Sequence, residues 1–133
     1  MLGWVGDIER ETLGNETFRT VVFTGEHSQL TVMRLAPGED IGWEAHEGID
    51  QFLRIESGQG RAEFGRSEDS VDERHDVGDD WAIVVPAGVW HNVVNTGDGE
   101  LKLYSVYSPP EHPPETVHRT KAESEAAEAE HHA

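Results

Sequence analysis

Apolar and polar residues alternate with a period of two along most of the chain, in short runs. Strand patterns fall at FRTVVFTG (18–25), SQLTVMRLAP (28–37), DQFLRIESG (50–58), GRAEFG (60–65), WAIVVPAG (81–88), WHNVVNTG (90–97) and LKLYSVYSP (101–109). These runs are rich in Val, Ile, Thr, Phe and Tyr and are punctuated by Gly, Pro, Asn and Asp. SGQG and NTGDGE, each between two runs, are tight hairpin signals. The polar segment RSEDSVDERHD (66–76) predicts a long exposed loop with a ragged edge strand at most. No sustained helical period precedes residue 115. ETVHRTKAESEAAEAE is helix-friendly but lacks a wide apolar face, so it predicts one or two turns of helix within a fraying or disordered tail that includes His131 and His132.

Many short strands with regular turn signals predict an all-β sandwich or barrel. The expected organisation is an N-terminal arm (1–14), one barrel domain (15–110) and an extended or disordered acidic tail (111–133). A chain of 133 residues is long enough for one domain with one core.

Composition narrows the chemistry. There is no cysteine, so disulfides and thiolate metal sites are excluded. No apolar run approaches the roughly 18–20 residues of a membrane span. The start, MLGWVGDIERE, has no basic segment and carries early acids, which makes it a poor signal peptide; a soluble cytoplasmic protein is expected. The net charge of −17, from 27 acidic and 10 basic residues, repels nucleic acid and anionic lipid. Lys102 and Lys121 are the only lysines. Acid excess with scarce lysine resembles halophilic proteins, whose surfaces rely on salt to screen self-repulsion.

Candidate chemistry lies in GWEAHEGIDQF (42–52). On extended backbone Glu44 and His46 point to one side, and Trp43 and Ala45 to the other. Gln51 follows a short turn and shares a face with Leu53 and Ile55. In PAGVWHNVVN, His91 shares a face with Val93 and Asn95. Taken singly, each of these polar residues has an ordinary explanation; the case for a site rests on their joint spacing.

Together these segments resemble the two motifs of the cupin superfamily. PGEDIGWEAHEGIDQFLRIESGQG (37–60) is similar to the first, G-x5-H-x-H-x3,4-E-x6-G. Gly38 opens it, Glu44 stands at the first histidine, His46 at the second, Gln51 at the glutamate and Gly58 at the closing glycine. DWAIVVPAGVWHNVVN (80–95) is similar to the second, G-x5-P-x-G-x2-H-x3-N, with Asp80 at the glycine position, then Pro86, Gly88, His91 and Asn95. The resemblance implies a single-domain, double-sheet jelly-roll barrel. It also implies a metal site of Glu44, His46, Gln51 and His91. Two imidazoles, a carboxylate and an amide oxygen suit a divalent Mn, Fe, Ni, Co or Zn ion.

The departures from the family pattern are specific. Glu44 carries the charge where a histidine is usual, and Gln51 is neutral where a glutamate is usual. A glutamine in that corner is similar to small cupins that open unsaturated uronates. The whole pattern, with YSPPEHPPETVH (107–118), is similar to compact cupins described as mannose-6-phosphate-isomerase-like. The resemblance therefore implies isomerase-like chemistry on a small sugar or sugar acid, with the metal as Lewis acid. The alternatives are a metal-dependent dioxygenase and a non-catalytic small-molecule or metal binder.

Arg34, Arg54 and Arg61 are the cations available to a phosphosugar, but Arg54 alternates away from Gln51. The Pro-rich segment with Glu111, His112 and His118 reads either as a flap supplying an acid or base, or as a rigid strap packed outside the barrel; the outside strap is favoured. His27 and His75 are expected in surface loops. Tyr104 and Tyr107 fall on opposite faces of the last strand, so at most one meets the pocket. Trp43, Trp81 and Trp90 are read as packing or dimer-contact residues, and outward Trp43, Phe52 and Trp90 favour a homodimer.

Overall fold

The computed structural model describes residues 2–132, with residues 130–132 described by their backbone alone. The side chains of His131 and His132 lie outside the described residues. Two sheets form the barrel. The strands are β1 (Arg19–Thr24), β2 (Gln29–Leu35), β3 (Asp50–Ser57), β4 (Gly60–Gly65), β5 (Glu73–Val77), β6 (Ala82–Val85), β7 (Trp90–Asn95), β8 (Leu101–Ser108) and β9 (Val117–His118). The larger sheet has the order β6-β3-β8-β2-β1-β9 and the smaller β5-β4-β7. Neighbouring strands are antiparallel in both.

Period-two alternation places the core between the sheets. Leu53 and Ile55 of β3, Met33 and Leu35 of β2, and Leu101 and Leu103 of β8 face Ala62 of β4 and Val93 of β7. On the opposite side of the larger sheet, Phe52 and Tyr104 lie ring to ring at 6.3 Å, beside the exposed Val84. Trp43 stacks on Trp90 at 6.0 Å and donates from Nε1 to the carbonyl of Glu68. His27 is exposed in a loop, whereas His75 is exposed on the edge strand β5. No helix among the described residues is long and apolar enough to cross a membrane.

The two glycine-rich turns are not hairpins. β3 pairs with β6 and β8, and β4 pairs with β5 and β7, so SGQG carries the chain from one sheet to the other. NTGDGE carries it back, from β7 to β8. The two crossings run against each other. Gly58 has φ 116°, and a β-carbon placed on it would lie 2.8 Å from the carbonyl oxygen of Glu100 and 3.0 Å from Leu101 Cα. Asn95, fully buried, ties the return crossing: its Nδ2 donates to the carbonyls of Leu35 and Gly99, both at 2.9 Å, and its Oδ1 accepts from the Gly97 amide at 3.0 Å. Asp80 has φ 70°, which accounts for the glycine usual at that motif position; aspartate is among the residues that tolerate the left-handed region.

Both termini hold helices: the N-terminal one is not predicted, and the C-terminal one is longer than the one or two turns expected. α1 (Ile8–Gly14) is capped by Asp7, which accepts from the Arg10 amide at 3.2 Å, and it buries Thr12. The acidic tail is not a frayed extension. It adds β9 alongside β1, then forms α2 (Lys121–His132). Thr120 and Glu123 make a capping box: the Glu123 amide donates to Thr120 Oγ1 at 3.2 Å, and Glu123 Oε2 accepts from the Thr120 amide at 3.1 Å. The buried Arg19 fastens this tail to the barrel by donating from Nη1 to Ser124 Oγ at 2.7 Å. Lys121 pairs with Asp40.

Candidate metal centre

Local pairing converges the predicted residues. Glu44 and His91 form an isolated antiparallel bridge, with the Glu44 amide 3.1 Å from the His91 carbonyl and the reverse bond 2.8 Å. Directly opposed residues project to the same side. His46, two residues on, joins them, and Gln51 enters from β3 after a turn at 47–48. One ligand atom each from Glu44, His46 and His91 lies within 4.8 Å of the others. His46 Nε2 is 3.2 Å from Glu44 Oε1, and His91 Nε2 is 3.1 Å from Gln51 Oε1. The structure thus brings all four predicted residues together; three form the cluster that could hold a metal, and Gln51 adjoins it through His91.

On the His91 side the protonation pattern of the centre fits a cation. His91 Nδ1 lies 2.9 Å from the Val89 carbonyl, which can only accept, so Nδ1 carries the proton. Burial lowers the pKa of His91, against the opposing Val89 hydrogen bond and Glu44 charge, and favours the neutral ring. Its Nε2 therefore presents a lone pair. Gln51 Oε1 presents another, because the Gln51 amide nitrogen donates to Ser105 Oγ at 2.9 Å. Both side chains are only 2% exposed. Two lone pairs facing each other at 3.1 Å repel, and a cation that both can reach relieves the repulsion. Turning the amide over would also relieve it, so the orientation of Gln51 reports whether the centre holds a cation. His46 Nε2 is buried, and its nearest polar neighbour is Glu44 Oε1 at 3.2 Å. Burial pulls the His46 pKa down, but Glu44, Glu111 and Glu128 together outweigh it, and the net direction is up.

The centre opens into a cavity of about 820 Å³. The favoured reading of the Pro-rich segment as an outside strap is overturned here: Glu111, His112 and Pro113 line the cavity, together with Thr116 and His118. The cause is Gln29, 1% exposed on β2. Its Oε1 accepts from the amides of Glu111 and His112 at 3.3 and 3.0 Å, and its Nε2 donates to the His112 carbonyl at 2.7 Å. The segment is thereby held over the barrel mouth. His112 is pushed to about 3 by burial, and further by the charges of Arg19, His118 and His46, so it is neutral throughout the physiological range. Tyr107, buried beside His46 and His112, is the strand-β8 tyrosine that faces inward. Glu128 of α2 also lines the cavity, a position that the amino-acid pattern of the tail does not signal.

Fold and centre together define a cupin. The family model for the cupin domain matches residues 31–107, and the chain belongs to that family. It is 57% identical over 125 residues to the uncharacterized protein YrkC of Bacillus subtilis (strain 168), covering 94% of this chain and 67% of that protein. It is 42% identical over 112 residues to protein L612 of Acanthamoeba polyphaga mimivirus, covering 84% and 68%. The crystal structure of BH2720 from Bacillus halodurans superposes with a TM-score of 0.91 at 51% identity, covering 92% of this chain and 93% of that one.

Proposed function

We propose that this cupin holds a divalent Mn, Fe, Ni, Co or Zn ion through Glu44, His46 and His91, with Gln51 as a fourth, neutral donor. We further propose that it acts on a small oxygen-rich substrate of the sugar or sugar-acid type, in isomerase-like chemistry. The observation that carries this reading is the convergence of the three ligand atoms within 4.8 Å at the floor of a cavity large enough for a small metabolite. When bound, the metal supplies a Lewis acid for a substrate carbonyl or hydroxyl oxygen.

The chain's own residues set the substrate's character. Glu44, Glu47, Glu111 and Glu128 line the cavity, and no lysine or arginine does so among the described residues. Arg34 is paired with Glu100 at 2.9 Å, Arg54 with Glu56 and Asp80 at 3.2 and 3.0 Å, and Arg61 with Glu63 at 3.2 Å. This field repels phosphate and favours neutral oxygens; the carboxylate of a sugar acid would have to face the metal. His112, held near 3, is too weak a base to take a proton at neutral pH.

Two imidazoles and one carboxylate are also the donor set of non-haem iron oxygenases, with Gln51 then a spectator. One experiment separates these readings. Metal-loaded protein is incubated with a panel of neutral sugars and uronates in D2O, and with diketones and phenols under Fe(II), while carbon-bound deuterium and oxygen consumption are followed. Deuterium incorporation into a sugar without oxygen uptake is the expected result. Oxygen uptake coupled to product formation would establish the dioxygenase reading instead. Tight small-molecule binding with neither would leave a binding module.

A further inference from the structure

An imidazole coordinates a metal through a lone pair, so its second nitrogen must carry the proton, and what that proton meets fixes the ring. For His91 the partner is the Val89 carbonyl. For His46 it comes from the far end of the chain. Nε2 of His46 faces Glu44 at 3.2 Å, on the side of the cluster, while Nδ1 faces Glu111 Oε1 at 3.5 Å. The same ring therefore has a metal-ligating group at one nitrogen and a carboxylate at the other.

Glu111 is well held for this task. Its own amide and that of His112 are bound by Gln29 Oε1, and Gln29 Nε2 also donates to Thr24 Oγ1 at 2.9 Å. The following turn is closed by the Thr116 hydroxyl, which donates to the Pro113 carbonyl at 2.6 Å. The prolines on either side, Pro109, Pro110, Pro113 and Pro114, restrict the backbone further. The carboxylate is thus presented from a braced segment rather than a loose flap.

We propose that Glu111 is a positioning residue of the metal centre. It accepts the Nδ1 proton of His46, selects the tautomer whose Nε2 lone pair faces the cluster, and makes the Pro-rich segment part of the centre. This rests on the metal-binding reading above. Losing such a partner typically weakens a metal site about 10- to 100-fold.

The test titrates Co(II) and Mn(II) into stripped wild type, Glu111→Ala and Glu111→Gln by calorimetry. In parallel, the His46 tautomer of the metal-free proteins is read by nitrogen-15 NMR at a pH where the same spectra show the ring to be neutral. The expected result is an affinity loss of about 10- to 100-fold in Glu111→Ala with one site retained. A smaller loss is expected in Glu111→Gln, whose amide oxygen still accepts the proton, and the share of Nδ1–H is expected to be larger in wild type than in Glu111→Ala, where Glu44 at Nε2 is the one carboxylate left facing the ring. Wild-type affinity in Glu111→Ala with Nδ1–H retained would overturn the proposal. If wild type itself binds neither metal, the metal reading fails; the tautomer comparison then decides alone whether Glu111 holds His46. Matching thermal unfolding of the three proteins separates a local effect from misfolding, and if Glu111→Ala does not fold, the Glu111→Gln comparison carries both readouts.

Discussion

Replacing His91 with alanine is expected to lower the affinity for a divalent metal by more than about 100-fold while leaving the barrel folded. The reasoning starts from its place on β7. His91 is a member of the three-residue cluster, and it is the one whose free lone pair is fixed by a backbone partner rather than by a side chain. Loss of a group that merely orients a ligand already costs about 10- to 100-fold, so loss of a ligand itself must cost more. The Glu44–His91 bridge survives, because both of its hydrogen bonds are backbone to backbone. The metal-free variant also loses the repulsion between His91 Nε2 and Gln51 Oε1, so its thermal stability should change less than an ordinary buried truncation would suggest. Calorimetric titration and thermal unfolding of the stripped proteins check both halves. Undiminished metal affinity would remove His91 from the centre.

The second large effect lies far from the metal. Gly58→Ala is expected to destabilise the protein by about 2–6 kcal/mol, combining the strain of a positive φ with backbone overpacking. The new methyl group would sit 2.8 Å from the Glu100 carbonyl oxygen, and neither crossing can move without disturbing strands in both sheets. Gly97→Ala is the matched control. A β-carbon there meets nothing nearer than 3.5 Å, and its φ is not in the left-handed range. Denaturant unfolding of the two variants should show a large shift of midpoint for Gly58→Ala and little for Gly97→Ala; equal shifts would mean that the crossings do not brace each other.

These two glycines mark where reading the chain succeeds and where it stops. Alternation correctly puts Gln51, Leu53 and Ile55 on one buried face, and His91, Val93 and Asn95 on another, because side-chain direction on a strand is local geometry. Whether a glycine-rich turn joins paired strands or crosses between sheets is not local. SGQG satisfies either, and only the contact of Gly58 with residues about forty positions away selects the crossing. The helix α2 was partly legible: Thr120 and Glu123 have the spacing of a capping box. It lacked a broad apolar stripe because it buries Ser124 and part of Ala127 rather than large residues. The prolines announced an extended segment, but its course over the cavity depends on Gln29, more than eighty residues earlier. That is why Glu111 could be suspected from the sequence but not placed.

At the metal centre the exchange of residues relative to the usual cupin pattern acquires a physical sense. The carboxylate has moved to Glu44, beside the open cavity, and the neutral amide of Gln51 occupies the closed side, anchored on Ser105. A carboxylate at position 51 would be buried there, where charge is costly to leave unpaired. Glu44 lines the open cavity, where water can help solvate it. The arrangement keeps a single formal negative charge among the four residues proposed as donors and puts it on the cavity side.

Metal binding is the property most directly open to test. Protein purified without chelator or affinity metal is analysed for bound metals, then stripped and offered Mn, Fe, Ni, Co and Zn in turn, and the loaded form is crystallised and its anomalous scattering recorded. One ion per chain bonded to Glu44, His46 and His91, with the Gln51 oxygen turned toward it, is the predicted result. A centre that stays empty with all five ions, with the Gln51 amide turned to donate to His91, would contradict it.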